Sequence, residues 1–503
     1  MTNPLYDALF GQHAGSEDPF LHLPDGSTRT YAAFLSQAAR FAHALTDLGL
    51  APGDRVAAQV EKSPEALAVY AACVQAGCVF LPLNTGYTGA ELSYFIDNSG
   101  AKLVLCDGAK EAALAPVAAE CNATLKTLNA DGTGSFADAA EGKPDTFDTA
   151  ARGEDDLAAF LYTSGTTGRS KGAMLSQKNL LSNAEALREV WKWEKGDVLL
   201  HALPIFHTHG LFVAGNLTLL CGASMIFLPK FDLDTMIARM PEATTMMGVP
   251  TFYTRLLDDP RFTRELTSNM RLFTSGSAPL LAETHVRFSE RTGHAILERY
   301  GMTETNMNTS NPYDRERRAG TVGFPLPGVE LKITDPATGD TLDQGEIGQI
   351  EVRGDNVFQG YWQMPEKTKE ELRADGFFIT GDLGQIDADG YVHIVGRNKD
   401  LIISGGYNIY PKEIEVLLDD QPGVLESAVI GVPHPDFGET VLAVLVPAPG
   451  QTPDLDAIRE VLGRDLARFK QPRDIRVIDE LPRNTMGKVQ KNILREEYAN
   501  TFV

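Results

Sequence analysis

Segments typical of β-strands alternate with segments typical of helices over the first half of the chain. We predict strands at residues 55–60, 79–81 and 102–106 and helices at residues 63–77 and 91–98. The first of these helices has Ser63 and Pro64 at its start and Gly77 at its end, which are the residues that helix ends prefer. Repeated strand–helix units predict a mostly parallel sheet covered by helices.

The pattern changes in the second half of the chain. Short strands and turns are predicted after Gly345, at residues 349–353, 377–380 and 391–395. A separate α/β pattern follows, with strands at 401–404, 427–432 and 442–446 and helices at 411–418 and 455–466. Residues 129–156 are acidic and rich in Gly without a clear period, so we expect a surface excursion there. We predict an α/β fold with a large N-terminal domain of helix-covered, mostly parallel sheets, a small β-rich subdomain, and a small mobile C-terminal α/β domain.

Charge and cysteine content narrow the possible partners. The 503 residues carry a net charge of −23, which disfavours nucleic acid and anionic membranes as partners. The five cysteines show no metal-ligand spacing, and their odd number fits reduced thiols in a cytoplasm. No Lys or Arg precedes Arg29, and no apolar run approaches the roughly 18 residues that span a bilayer. We therefore expect a cytoplasmic protein without a membrane partner.

One glycine-rich segment has the composition of a phosphate-binding turn. Residues 162–172 read YTSGTTGRSKG and follow an apolar strand predicted at 157–161. A strand that ends in such a turn leaves backbone N–H groups free to converge on an anion, although similar clusters are also ordinary loops. Ser176 then caps a predicted helix. Its apolar stripe recurs at helical spacing, at Leu180, Ala184, Leu187 and Trp191.

The spacing excludes the P-loop of NTPases. That motif requires Gly, four residues, Gly-Lys and then Ser or Thr. Counting from Gly165, the second glycine position is Ser170, and Gly172 follows Lys171. A P-loop kinase or ATPase is not predicted.

The chain instead resembles the adenylate-forming superfamily of acyl-CoA synthetases, adenylation domains and luciferases, and within it the malonyl-CoA synthetases. Six further segments match in the superfamily's order: 275–280 (SGSAPL), 298–304 (ERYGMTE), 380–383 (TGDL), 396–400 (GRNKD), 404–408 (SGGYN) and 482–488 (PRNTMGK). The resemblance implies an N-terminal domain at 1–397, a hinge at 398–400 and a C-terminal domain at 401–503. It also implies that a carboxylate attacks the α-phosphate of ATP and that the thiol of CoA then displaces AMP.

The resemblance assigns residues to ATP and Mg²⁺. The residues that would hold the β- and γ-phosphates are Thr163, Ser164, Gly165, Thr166, Thr167, Gly168, Arg169, Ser170 and Lys171. Thr303 would bind the α-phosphate, and Glu304 with Thr163 would bind Mg²⁺, which prefers oxygen ligands. The residues that would surround the adenosine are Ser277, Ala278, Pro279, Tyr300, Gly301, Met302, Asp382 and Arg397, the last two at the ribose.

The C-terminal segments are implied to serve both half-reactions. Lys488 occupies the position of the family's catalytic lysine, whose ammonium group bridges the attacking carboxylate and the α-phosphate. Lys399 occupies the hinge position about which the C-terminal domain would rotate. Gly405, Gly406 and Tyr407 would line the path of CoA. Lys488 also resembles sites that lysine acetyltransferases and deacetylases control in bacterial acyl-CoA synthetases, since acetylation removes the charge.

Arg299 indicates which carboxylic acid is the substrate. A guanidinium beside the acyl pocket binds a second carboxylate bidentately, so malonate is the leading substrate and methylmalonate a slower one. The alternative is an Arg299 paired with a protein acid such as Glu298. By resemblance His207 and His209 line the same pocket with Ser277, and His207 is also a catalytic candidate.

Other activities remain open on sequence grounds. One is an acyl-CoA synthetase for another short acid, and another is an adenylation enzyme that loads an acid onto a carrier-protein thiol. Arg299 disfavours the carrier-protein reading for an amino or aryl acid. A third alternative is a nucleotide-binding regulator without enzymatic activity. It is disfavoured, because it would not require Glu304 and Lys488 at the family's catalytic positions.

Overall fold

A computed structural model describes residues 2–163, 170–404, 407–484 and 487–502 of the chain. These residues divide into two compact units. The first unit comprises residues 1–330 and 352–378, and the second unit comprises residues 331–351 and 379–503. The predicted hinge forms a 3₁₀ turn, Asn398–Asp400, inside the second unit, and the domain boundary predicted at this hinge stays a prediction.

The described helices of the first unit are α1 (Pro4–Leu9), α2 (Tyr31–Asp47), α3 (Pro64–Ala76), α4 (Gly89–Ser99), α5 (Glu111–Glu120), α6 (Ser135–Ala140), α7 (Gln177–Val190), α8 (Asn216–Cys221), α9 (Leu233–Arg239), α10 (Pro250–Asp258), α11 (Ala282–Thr292) and α12 (Pro365–Glu371). Its described strands are β1 (Pro19–His22), β2 (Thr28–Thr30), β3 (Arg55–Gln59), β4 (Val79–Pro82), β5 (Leu103–Cys106), β6 (Thr124–Thr127), β7 (Leu157–Thr163), β8 (Lys171–Ser176), β9 (Val198–His201), β10 (Ser224–Phe227), β11 (Thr245–Gly248), β12 (Leu272–Ser275), β13 (Leu297–Met302), β14 (Asn306–Ser310) and β15 (Phe324–Pro325).

These strands form two mostly parallel sheets, one with an antiparallel pair at one edge and the other with antiparallel pairs at both edges. The strand order of one sheet is β6-β5-β3-β4-β7-β8, in which only the β7–β8 pair is antiparallel among the described residues. The order of the other is β15-β14-β13-β12-β11-β9-β10-β1-β2, and its strands from β13 to β1 are parallel. The prediction of helix-covered, mostly parallel sheets is confirmed.

The second unit contains most of two smaller sheets. Their strands are β16 (Val329–Thr334), β17 (Gly348–Gly354), β18 (Phe378–Ile386), β19 (Val392–Arg397), β20 (Ile402–Ser404), β21 (Tyr407–Ile409), β22 (Val424–His434), β23 (Gly438–Pro447) and β24 (Asp474–Val477). Strands β16 to β19 form one sheet in chain order; β21-β20-β23-β22 form the other, with β24 parallel to β23. The helices α13 (Pro411–Asp419), α14 (Leu455–Asp465) and α15 (Lys491–Glu497) accompany the latter sheet. These elements confirm the β-rich and α/β parts that the sequence predicts.

The local signals for helix ends act as expected. The Ser63 side chain accepts a hydrogen bond from the Ala66 amide at the start of α3, and Gly77 ends this helix with φ at +73°. Ser176 caps α7 in a reciprocal capping box with Asn179. The predicted stripe of α7, including its C-cap Trp191, is fully buried.

Two sequence predictions were wrong or incomplete. Residues 129–156 are not only a surface excursion, because α6 lies within them and its Phe136 packs in the core against Phe41, with ring centroids 4.9 Å apart. A helix of six residues is too short to show a 3.6-residue period. The sequence analysis also missed β8, which pairs Lys171 with Thr163 and returns the chain along β7.

None of the described helices has both the length and the apolarity that a membrane-crossing helix requires.

The core beneath β11 and β12 allows a stability test on one helix. Phe288 of α11 is fully buried and contacts the rings of Phe262, Phe273 and Tyr253, whereas Val286 on the same helix is half exposed. We expect Phe288→Ala to lower the free energy of unfolding by about 3–5 kcal/mol, because it removes buried area and leaves a cavity. Val286→Ala should change it by no more than about 0.5 kcal/mol. Chemical denaturation measures both, and equal effects would contradict this description of the core.

Candidate active site

The residues of the 275–280 and 298–304 segments meet at one edge of the nine-stranded sheet. Strands β12 and β13 are parallel neighbours, with Thr274 opposite Leu297 and Ser275 opposite Glu298. Their carboxyl ends therefore lie side by side. Ligands of α/β proteins bind at this edge of the sheet.

The β13–β14 hairpin positions the predicted Mg²⁺ and α-phosphate residues. Gly301 lies so close to the neighbouring strand that a Cβ there would be 1.8 Å from the Asn306 carbonyl oxygen. The chain turns directly after Met302, so Thr303 and Glu304 lie in the turn between the strands, and the Glu304 side chain is buried.

A polar cluster links this turn to the base of the glycine-rich segment. We call Thr163, Lys171, Glu304, Tyr361 and Glu371 the carboxylate cluster. The Tyr361 hydroxyl lies 3.0 Å from Glu304 Oε1 and 2.6 Å from Glu371 Oε2. Thr163 Oγ1 lies 3.4 Å from Glu304 Oε1, and Lys171 Nζ lies 3.0 and 3.1 Å from the two oxygens of Glu371.

The charges of the carboxylate cluster follow from burial and pairing. Burial raises the pKa of the Tyr361 hydroxyl far above its ordinary value, and the neighbouring carboxylates raise it further, so it stays protonated. Burial also raises the pKa of Glu371, but hydrogen bonds from Tyr361, Lys367 and Lys171 outweigh this effect. The net pKa of Glu371 therefore lies below its ordinary value, and the group is ionised.

The donor set at Glu304 fits Mg²⁺. Glu304 and Thr163 offer hard oxygen atoms, and among the described residues no group of three His, Cys, Asp or Glu side chains could hold a metal ion. Mg²⁺ is commonly held by one or two carboxylates together with substrate phosphates and water. The cluster matches that mode of binding.

Arg299 is a buried cation near Gly276 and His209. Its side chain is 4% exposed, and its Nε and Nη2 atoms have no hydrogen-bond partner among the described residues. Burial lowers the pKa of the Arg299 guanidinium to about 9, against a smaller opposing effect of Tyr253. A cation buried in this way is costly, and an anion beside it would favour the charged form.

Gly276 makes room for the Arg299 guanidinium itself, because a Cβ at this position would lie 2.2 Å from Arg299 Nη1. His209 Nδ1 lies 3.2 Å from the Ser277 hydroxyl, while its buried Nε2 has no hydrogen-bond partner in the part of the chain that the structure describes. Burial lowers the pKa of His209 well below its ordinary value, and the Arg299 charge lowers it further, so the imidazole is neutral. The half-buried His207 accepts a hydrogen bond from the His209 amide at Nδ1.

The alternative in which Glu298 pairs with Arg299 is not observed. Successive residues of a strand point to opposite faces of its sheet. Glu298 Oε1 lies 3.3 Å from His285 Nδ1 and accepts the Gly320 amide at 3.2 Å.

The predicted ribose ligands meet in the second unit. Strands β18 and β19 place Asp382 opposite Arg397, and Arg397 Nε lies 2.7 Å from Asp382 Oδ1. The carboxylate is buried, so the pair is a defined ion pair rather than a loose surface contact. Their role at a ribose stays a prediction.

The structure describes some of the other predicted site residues and not others. Lys488 is exposed and directly precedes Val489, which forms a β-bridge with Arg483. Lys399 is exposed on its 3₁₀ turn, and Tyr407 stacks on Phe469 with ring centroids 4.6 Å apart. The carbonyl of Ser170 accepts a hydrogen bond from Tyr94. The predicted residues at 164–169, Gly405 and Gly406 lie outside the described residues, and the site roles of all these residues stay predictions.

Sequence reasoning missed three residues of these sites. Tyr361 and Glu371 contact residues 57 and 200 positions away in the chain, and neither belongs to a recognised motif. Gly276 lies inside a motif, but only its distance to Arg299 reveals its role. For Tyr361, the only signal in the sequence was its place directly after Gly360.

The chain is similar to known proteins over nearly its whole length. A family model for "AMP-binding enzyme" matches residues 12–362, and one for "AMP-binding enzyme C-terminal domain" matches residues 413–488. Feruloyl-CoA synthase from Amycolatopsis sp is 37% identical over 479 residues, which cover 94% of this chain and 95% of that protein. Malonate–CoA ligase from Arabidopsis thaliana is 33% identical, covering 99% of this chain and 89% of that protein. The crystal structure of ATP-bound MatB from Rhodopseudomonas palustris is 58% identical with a TM-score of 0.98, and 100% of both chains is covered.

The close approach at Gly301 makes a testable prediction. Gly301→Ala would force the β13–β14 hairpin apart and displace Thr303 and Glu304, so we expect ATP to bind at least about tenfold more weakly. Gly89→Ala at the start of α4 is the matched control, because a Cβ there has nothing within 4 Å. Calorimetric titration with ATP measures both variants. Unchanged ATP affinity in Gly301→Ala would show that this turn does not bind the nucleotide.

Proposed function

The chain belongs to the AMP-binding enzyme family as an adenylate-forming CoA ligase, and we propose that malonate is the acid it activates. The family matches confirm the resemblance to the adenylate-forming superfamily that the motifs indicate. In the first half-reaction a malonate carboxylate attacks the α-phosphorus of ATP, giving malonyl-adenylate and pyrophosphate. In the second, the CoA thiol loses its proton and attacks the acyl carbon, and AMP leaves to give malonyl-CoA.

The observation that supports malonate is the buried guanidinium of Arg299. A charge in this position costs several kcal/mol unless an anion compensates it. No acidic side chain of the described residues pairs with its Nε and Nη2 atoms. The free carboxylate of a dicarboxylic acid would supply the missing charge and could accept both N–H groups.

The same argument disfavours acids with an uncharged far end. A fatty or aromatic acid would enter the pocket while Arg299 stayed unpaired, and a site built for a polar group rejects an analogue that lacks it. The neutral His209 adds a polar atom without competing for the anion. Methylmalonate keeps both carboxylates and adds one methyl group, so we expect it to be a slower substrate.

The remaining residues supply positioning and charge. Thr303 would hold the α-phosphate, and Lys171 would hold the outgoing pyrophosphate. Mg²⁺, bound through Glu304 and Thr163, would neutralise charge on the phosphate oxygens. Attack by a carboxylate on phosphorus requires mainly such positioning and neutralisation. Asp382 and Arg397 would bind the ribose, and acetylation of Lys488 would silence the first half-reaction.

Replacement of Arg299 tests the choice of acid. We expect Arg299→Ala to lower kcat/KM for malonate by about 10²-fold, because a charge-assisted bidentate pair is lost, while ATP affinity stays unchanged. Pyrophosphate release should be measured with malonate, methylmalonate, sulfoacetate, acetate and butyrate. Selectivity for malonate over butyrate should disappear. If ATP and malonate affinity fell together, Arg299 would not belong to the acyl pocket.

Gly276→Ala provides a second variant of the same test. Its methyl group would push the Arg299 guanidinium aside while all charges remain. We expect a smaller loss with malonate than in Arg299→Ala, again with ATP affinity unchanged. Full malonate activity in this variant would contradict the position assigned to the guanidinium.

The two half-reactions can be separated at Lys488. Lys488→Ala should slow malonate-dependent pyrophosphate release by about 10²–10³-fold, since one preorganised charge is lost at the attacked phosphorus. Thioester formation from chemically prepared malonyl-adenylate and CoA should proceed at the unsubstituted rate. Lys491→Ala, which changes a neighbouring lysine paired with Glu415, is the control. Loss of both half-reactions would refute this division of roles.

A further inference from the structure

Lys171 is already engaged by an acid of its own chain. Both Glu371 oxygens lie within 3.1 Å of the Lys171 ammonium group, and the side chains are 13% and 21% exposed. The ammonium group also lies 4.1 Å from the centre of the Tyr361 ring. The geometry is that of a held ion pair, so a phosphate that binds Lys171 competes with Glu371 for the ammonium group.

Tyr361 connects this ion pair to Glu304. Its hydroxyl lies within hydrogen-bonding distance of one oxygen of Glu371 and one oxygen of Glu304. A phenolic hydroxyl has a single proton, so it donates to one carboxylate at a time. Whichever carboxylate carries the larger uncompensated charge is the better acceptor.

We propose that Glu371 is an internal counter-anion that competes with pyrophosphate for Lys171, and that Tyr361 is a positioning residue that couples this exchange to Glu304. The inference rests on the proposed function, because it requires a nucleotide phosphate at Lys171. It concerns how that phosphate is bound and released. No covalent bond changes, and the hydroxyl proton remains on Tyr361.

The exchange follows from the charges. When Lys171 turns to a phosphate, Glu371 loses one cation and keeps Lys367, whose Nζ lies 3.0 Å from Oε1. Glu371 then becomes the stronger acceptor and draws the Tyr361 hydroxyl toward itself. The Glu304 oxygen then has one hydrogen-bond donor fewer, so more of its charge is available to a cation. Phosphate binding and cation binding at Glu304 therefore favour each other.

The same exchange assists product release. After pyrophosphate forms, Glu371 offers Lys171 another anion at close range, so the lysine does not have to be left unpaired when the product departs. Pyrophosphate is then held less tightly than its charge alone would dictate. Glu371 raises the rate of pyrophosphate release at the expense of affinity.

Glu371→Gln tests the competition. This substitution keeps the size of the side chain and removes the competing charge, so inorganic pyrophosphate should bind about fivefold more tightly, the value of one partly exposed ion pair. Glu370→Gln is the matched control, because it removes the same charge at the preceding residue. The Glu370 side chain is exposed and pairs with Lys367. Calorimetric titration with inorganic pyrophosphate in a metal chelator gives both affinities. Product inhibition by pyrophosphate should strengthen in parallel in Glu371→Gln alone.

Tyr361→Phe tests the coupling. The measured quantity is the ratio of pyrophosphate affinities with and without Mg²⁺. In the unsubstituted protein this ratio has two contributions: Mg²⁺ forms a complex with pyrophosphate in solution, and Mg²⁺ at Glu304 is coupled to pyrophosphate at Lys171. The solution contribution is identical for the variant and cancels in the comparison. We expect the ratio to be at least about threefold smaller in Tyr361→Phe. Thermal unfolding of the variant verifies that the fold is retained.

The outcomes separate this inference from the proposed function. Equal or weaker pyrophosphate affinity in Glu371→Gln, with normal binding by the unsubstituted protein, would overturn the competition. An unchanged Mg²⁺ ratio in a folded Tyr361→Phe would overturn the coupling. No binding of pyrophosphate or ATP by the unsubstituted protein would overturn the proposed function itself, and the inference with it.

Discussion

Parallel pairing of β9, β11, β12 and β13 is the constraint on which the proposed acyl pocket of the first unit depends. Parallel strands end at the same edge, so loops that are far apart in the chain come together there. Gly276 directly follows β12, Arg299 lies in β13 one residue beyond its parallel pairing with β12, and His209 lies eight residues after β9. The second sheet supplies Thr163 in the same way, at the carboxyl end of β7, and the Thr163–Glu304 contact joins the two sets of loops.

The cations of the candidate sites differ in how they are paired. Lys171 is paired with Glu371 and Arg397 with Asp382, both through the protein's own carboxylates. Arg299 has two guanidinium nitrogens without a partner among the described residues. In a chain with a net charge of −23, acids to pair with a cation are abundant. The lack of one beside Arg299 is therefore a specific feature of the pocket, and it is the reason for preferring an acid with a second anionic group.

Much of the fold followed from local signals. Ser63, Gly77 and Ser176 act through contacts within one turn of their helices, and such contacts depend on neighbours in sequence. The helix α6 was missed because six residues cannot display a helical period, and Phe136 reveals it only by packing on Phe41. The edge strand β8 was missed because its short sequence contains Gly and Ser and becomes a strand only through pairing with β7.

The sequence alone determined the chemistry available: the order of the motifs, the family they indicate, and the presence of Glu304, Arg299 and Lys171 in positions suited to a nucleotide and an acid. Only the tertiary structure decided which of these charges are compensated. Pairing depends on distances between residues far apart in the chain, as between Lys171 and Glu371, and on burial, which sets the cost of a charge. Neither quantity is encoded in local sequence, because both arise only when the strands have been ordered into sheets and their loops brought to one edge.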